Sequence, residues 1–143
     1  MIRNVVTGLV LLGALMGCSA RPPEMPEILR HVTAGSGYWG ACPKPDWAVG
    51  DSRLAIAPVF DQRLATRYPP GSAEQVLIEQ LRAEGFEDAG SCESMPAIRI
   101  LSFHSDGAGG FLRSKTRADV YWQSDTQGHI VWTKGFVSYT GPS

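Results

Sequence analysis

The chain carries no excess of charge of either sign: 13 Lys and Arg stand against 14 Asp and Glu, a formal net charge of −1. Nucleic-acid binding needs a clustered basic surface, so this balance argues against such a partner. Histidine and cysteine are scarce, with three of each. The cysteines, at 18, 42 and 92, are too far apart for a C-x-x-C redox pair. No G-x-S-x-G occurs, which excludes the hydrolase elbow built on it. Glycines cluster in "HSDGAGG" (104–110), but Leu112 stands where the last glycine of a G-x-G-x-x-G phosphate loop belongs. There is no internal repeat. After residue 16 no apolar run approaches the length of a membrane span.

Val5 to Met16 holds no charge and one polar side chain, Thr7. As a helix these residues would span about 18 Å, too short for a hydrocarbon core of about 30 Å. A positive start at Arg3, a short apolar run and small residues at its exit predict a secretory signal peptide over 1–17. Leu15-Met16-Gly17-Cys18 resembles the lipobox of bacterial lipoproteins. That resemblance implies cleavage between Gly17 and Cys18, acylation of the Cys18 sulfur, and, with Ser19 next, an outer-membrane anchor facing the periplasm. Acyl chains hold through buried methylenes, each worth about 0.8 kcal/mol. The alternative is an ordinary cleaved signal whose cysteine is incidental.

Removing 1–17 leaves 126 residues, enough for one domain with a modest core. Residues 18–37, with Pro22, Pro23, Pro26 and two glycines, predict a flexible tether, and 38–143 a single domain. Cys42 and Cys92 remain as an even pair in an exported chain, which predicts a disulfide, two buried thiols being the alternative. Tyr38, Trp39, Cys42 and Trp47 suggest that the coil 37–52 packs on the domain.

"RLAIAPVF" (53–60) reads as a buried strand, and "SAEQVLIEQLRAEGF" (72–86) as an amphipathic helix. Ser72 and Gln75 form a capping-box pattern, Gly85 sits at a C-cap, and Leu77, Ile78 and Leu81 share a face with Ala73. Glu74, Glu79, Arg82 and Glu84 point to solvent in this arrangement. "AIRILSF" (97–103) is the next strand. Residues 112–123 alternate between an apolar set ending at Trp122 and a polar set containing Arg113, Lys115, Arg117, Asp119 and Tyr121. "DTQG" (125–128) predicts a three-residue hairpin loop, pairing Asp125 with His129, Trp122 with Trp132 and Ala118 with Phe136. Lys134 is then the misfit on the apolar face. The expected fold is α+β: a small two-layer domain with a β-α-β unit followed by a hairpin, about four strands and one main helix. One helix covers a four-strand sheet incompletely, leaving room for the 37–52 coil, a partner or a second copy of the chain.

Residues that could carry chemistry are few. His104 and Asp106 could offer two ligands on one side of a strand, whereas zinc takes three or four. Ser102, His104 and Asp106 imitate a triad on paper, but alternate residues of one strand project in parallel and do not converge. No catalytic residue, metal or cofactor is assigned. Arg113, Lys115 and Arg117, extended by Arg99, form a basic row: either a solvated face or a docking face for an anionic partner. Trp39, Trp47, Trp122 and Trp132 could stack on sugars, although Trp122 and Trp132 suit a core.

The rhythm of "LAIAPVFDQR", the helix closing on Gly85-Phe86, and "IRILSF" resembles small envelope lipoproteins: the YajG-like, penicillin-binding-protein activator and Pel polysaccharide-export lipoproteins. The similarity spans residues 53–104, with Asp61, Arg63, Gly85 and Phe86. It implies a non-catalytic accessory role at the envelope. With the lipid anchor expected from the lipobox, the expected function is binding or scaffolding in an envelope assembly, with an envelope protein or polysaccharide as a candidate partner. An immunity-type or inhibitor lipoprotein that neutralises a periplasmic toxin or hydrolase is the alternative.

Overall fold

The computed structural model describes residues 24–34, 42, 57–106 and 115–140. The expected signal peptide, Cys18, Tyr38, Trp39, Trp47 and Arg113 lie outside them. A 3-10 turn at Glu27–Leu29 comes first, then helices α1 (Pro58–Arg67) and α2 (Glu74–Ala83), then strands β1 (Glu87–Cys92), β2 (Met95–Ser105), β3 (Lys115–Ser124) and β4 (Ile130–Thr140). The strands form one antiparallel sheet in the order β1-β2-β3-β4. The α+β class with four strands agrees with the sequence; the expected β-α-β order is not confirmed. Two helices, not one, precede the strands among the described residues, and β1 was not anticipated as a strand.

The expected strand 53–60 is corrected at its end. Pro58–Phe60 form the first turn of α1, with proline at a position whose N–H has no helical partner anyway. Ala57, Phe60, Leu64 and Tyr68 recur at three- and four-residue spacing and are fully or almost fully buried. The helix lies on β4, where Gly135 leaves the space: a Cβ there would meet Phe60 Cδ1 at 2.6 Å and Leu64 Cδ1 at 2.8 Å. The start of α1 also satisfies the outer edge of β4. Ala57 N–H donates to the Gly135 carbonyl (3.0 Å), and Gly135 N–H donates to Asp61 (3.0 Å). An edge paired this way is closed to other chains at that point.

Helix α2 buries Leu77, Ile78 and Leu81 as expected. Its end is a Schellman motif: Phe86 N–H reaches the Leu81 carbonyl and Gly85 N–H the Arg82 carbonyl, with Gly85 at φ +96°. The capping box does not form. Ser72 Oγ donates to the Pro69 carbonyl (2.6 Å), and the first N–H of α2, Glu74, donates to the Gly128 carbonyl (2.9 Å). Helix and hairpin loop therefore cap each other.

The hairpin loop matches the sequence, with Asp125 N–H bonded to the His129 carbonyl. Beyond it the register departs from expectation. Ser124 pairs with Ile130, but Gln123 pairs with Trp132, so Val131 is an extra residue. Trp122 then faces Thr133 and Ala118 faces Val137 across the ladder. This one-residue slip sends Trp132 and Phe136 to the face opposite Trp122. Lys134 moves to that face with them, opposite Tyr121, and its ammonium reaches Asp61 (3.5 Å).

Both sheet faces are consequently apolar. One, with Leu101, Phe103, Ala118, Val120, Trp122 and Val137, lies under α1 and α2. The other gathers Ile98, Ile100, Tyr121 and Phe136 with Cys92, and Cys42 packs against it. Cys42 and Cys92 stand at disulfide distance, Cα to Cα 5.3 Å. The expected tether is also corrected in part. Pro26 is buried, and Ile28, Leu29 and Val32 join the helix-side core. Arg63 Nη1 donates to the carbonyls of Ile28 (2.9 Å) and Arg30 (2.7 Å), and Tyr139 Oη donates to that of Val32. Four buried apolar residues and three hydrogen bonds hold this segment against the domain.

Candidate functional site

Of the basic row, Lys115 and Arg117 alternate onto the face that carries Cys92 and Phe136. Arg117 points at Asp119 on the same strand face. Its Nε lies 3.1 and 3.3 Å from the two carboxylate oxygens, and Nη2 lies 3.0 Å from Oδ2. Asp119 has no exposure at all, and its Oδ1 also accepts the Ser102 hydroxyl at 2.5 Å. Asp119 and Tyr121 were expected on a solvated face. Instead, burial and the neighbouring Asp119 charge push the Tyr121 hydroxyl up to about 12. Arg117 thus serves as counter-ion to a buried acid. Arg99, expected to extend the row, sits on the opposite face. Two-sided burial of the sheet accounts for Asp119 and Tyr121, and the β2–β3 register, which pairs Arg99 with Trp122, accounts for Arg99.

The string from Ser102 to Asp106 contributes a serine and a histidine to one face, where Asp119 lies opposite Ser102 and Arg117 opposite His104. Ser102 gives its hydroxyl proton to a carboxylate with no imidazole between them. A nucleophile needs a base oriented by a third group, and this pair does not supply one. Among the described residues no group of three His, Cys, Asp or Glu side chains could hold a metal ion.

A polar constellation that sequence reasoning missed lies at the other end of the helix layer. Glu74, read as a solvent-facing helical residue, turns inward at the first position of α2. One of its oxygens accepts from Trp122 Nε1 (3.0 Å), Ser124 Oγ (2.8 Å) and Arg99 Nη1 (3.4 Å). The Arg99 guanidinium lies over the Trp122 ring, 5.1 Å from its centre. Indole N–H donors are buried comfortably only with a partner, and Glu74 is the partner. No local pattern announces it, because the donors are 25 to 50 residues away. The bond from Trp122, followed by the one from Ser124 and the Arg99 charge, outweighs burial and holds the Glu74 carboxyl below its ordinary 4.5.

The folded carboxyl therefore takes up its proton less readily than the unfolded one. Its stabilisation is complete above pH 4.5 and fades as pH falls through the lower folded value. Glu74→Gln is expected to cost about 1.5–3 kcal/mol at pH 7, the usual worth of hydrogen bonds to a charged group. Urea unfolding across pH should show the two proteins converging in acid. A constant difference between pH 7 and pH 3 would show that the charge is immaterial.

A surface concavity of about 700 Å³ runs between the 3-10 turn and the outer side of α1. Ile28 and Val59 supply apolar wall, and Arg30, Arg63, Arg67 and Glu84 supply polar groups. Most of that polarity is internally matched: Arg63 holds two carbonyls, and Arg67 pairs with Glu84 at 2.5 Å. Such a groove can seat a surface or a peptide, but it presents no convergent acid–base pair.

No family model, curated protein or solved structure matches the chain. Its function is therefore argued from its own residues.

Proposed function

We propose that this protein is a lipid-anchored periplasmic lipoprotein, held at the outer membrane through Cys18, that binds or scaffolds another component of the cell envelope without catalysing a reaction. One observation carries the proposal. Two of the three cysteines, Cys42 and Cys92, stand at disulfide distance, while the third closes the Leu15–Cys18 lipobox. A disulfide suits an oxidising compartment, and the lipobox gives the route to it. The non-catalytic part is supported by the Ser102–Asp119–Arg117 and Glu74 clusters, whose polar groups are used in holding strands and helix together.

Cys18→Ala tests the anchor. Palmitate labelling should be lost completely, and the protein should leave the membrane fraction, because the acceptor sulfur is gone. Undiminished labelling would end the lipoprotein proposal. Crosslinking of the wild-type protein in cells then separates partners: recovery of an envelope assembly supports the scaffold role, whereas a single toxic enzyme would favour an immunity-type inhibitor.

A further inference from the structure

We infer that the end of the domain formed by the 3-10 turn and the C-terminus of α2 rests on the zwitterionic phospholipid headgroups of the membrane that holds the anchor. The inference depends on Cys18 being acylated, as proposed above. Its structural basis is the docking of residues 24–34. Pro26, Ile28, Leu29 and Val32 are buried, and Arg63 grips two carbonyls of the segment. The chain between the anchor and the docked segment is therefore not the twenty residues of 18–37 but six residue steps, Cys18 to Glu24. An extended chain gains at most about 3.3–3.6 Å per residue, so Glu24 lies within roughly 20 Å of the acylated sulfur. That is less than the width of a small domain, and it determines which end faces the bilayer.

Glu24, Met25 and Glu27 lie beside Ala83, Glu84 and Gly85, the C-terminal end of α2. The opposite end of that helix meets the β3–β4 hairpin loop, through Glu74 N–H on the Gly128 carbonyl. Ten helical residues separate the two ends, a distance of about 15 Å. The anchor holds the first end down and leaves the hairpin loop pointing away from the membrane.

The chemistry of the near end fits headgroups that carry both charges. Glu24, Glu27 and Glu84 are balanced there by Arg30, Arg63 and Arg67. Arg30 and Glu24, 3.5 Å apart, are both exposed, so the guanidinium is placed to meet a phosphate and the carboxylate an ammonium. Val59, 40% exposed, and the edge of Ile28 add apolar contact. A balanced surface of this kind gains nothing from a net-anionic membrane.

The full acylated chain, reconstituted in phosphatidylethanolamine-containing vesicles, tests the orientation. A fluorophore is placed by Glu27→Cys or Gln62→Cys at the near end, and by Thr126→Cys or Gln127→Cys at the hairpin loop, with headgroup-spin-labelled lipid as quencher. Near-end labels should be quenched at least threefold more strongly than hairpin labels. The contrast should be unchanged when phosphatidylglycerol is added. Two positions at each end, with thermal melting of every variant, keep the comparison valid if one substitution disturbs the fold. Mass spectrometry reports the acyl chains separately. Acylated protein quenched equally at both ends, or more at the hairpin, overturns the orientation alone. A contrast that appears only with phosphatidylglycerol overturns the zwitterionic assignment. Absence of acyl chains overturns the lipoprotein proposal itself.

Discussion

Arg117→Glu is expected to destabilise the protein by about 3–5 kcal/mol, the range for stripping a buried charge of its partner. A simple row of solvated cations would tolerate the change within about 0.5 kcal/mol. The difference lies in Asp119. Its carboxylate has no solvent exposure and receives two kinds of donor, the Ser102 hydroxyl and the Arg117 guanidinium. Removing the guanidinium leaves one neutral donor for a charged acid, and a glutamate in its place adds repulsion at close range. A typical domain has only about 5–15 kcal/mol of net stability, so the loss would be evident in any unfolding curve. Half of the Arg117 side chain is in water, which places the expected value toward the lower end of the range. Arg82→Glu is the matched control. Arg82 pairs with Asp88 at 3.2 Å, but both side chains are about half exposed, and such a pair is worth at most about 1 kcal/mol. Urea unfolding of the two variants beside the wild type gives the comparison. Equal losses would show that Asp119 does not depend on Arg117, and the basic row would regain its standing as a docking face.

The basic row also shows where sequence stops being informative. Alternation over residues 112–123 marked a strand, which the structure describes from Lys115 to Ser124, and "DTQG" marked its turn. Alternation says which residues share a face, however, and not whether the second face is covered. Here it is covered, by a cluster that includes Phe136 and both cysteines, so polar Asp119 and Tyr121 lie inside. The bulge at Val131 was equally silent. A register chosen to gather every apolar residue on one face is the sensible choice for a half-solvated sheet, and it fails when both faces are apolar. Helix α1 was legible in principle: Ala57, Phe60, Leu64 and Tyr68 carry helical spacing, with Pro58 at the start. The compact run "LAIAPVF" masked it, since a short apolar run fits a buried strand as well as a buried helix. Helix α2 was recovered with its buried face and its Gly85 cap, because both are local. Glu74 was not, because its donors come from β2 and β3 and only folding brings them together.

Reduction of Cys42–Cys92 is expected to have the other large effect. Linking residues 50 apart removes closure entropy from the unfolded chain, worth about 4 kcal/mol by the chain-entropy argument. Folded-state packing adds to this. Cys92 is fully buried among Ile98, Ile100, Tyr121 and Phe136, and Cys42 lies against the same cluster. Cys42→Ala with Cys92→Ala should therefore lower unfolding free energy by about 4 kcal/mol and shift the urea midpoint strongly, and reductant should reproduce the effect in the wild type alone. The loss should also be uneven. Residue 42 touches the face opposite the helices, so amide exchange should rise first along β1, the start of β2 and Phe136. Protection of α1 and α2 should persist until global unfolding, since their core of Phe60, Leu64, Leu77 and Leu81 is on the other side of the sheet. Mass spectrometry of unreduced protein should show one linked pair of peptides. Two freely alkylated thiols, or a double variant as stable as the wild type, would remove the bridge from the fold and with it the main structural support for an oxidising compartment.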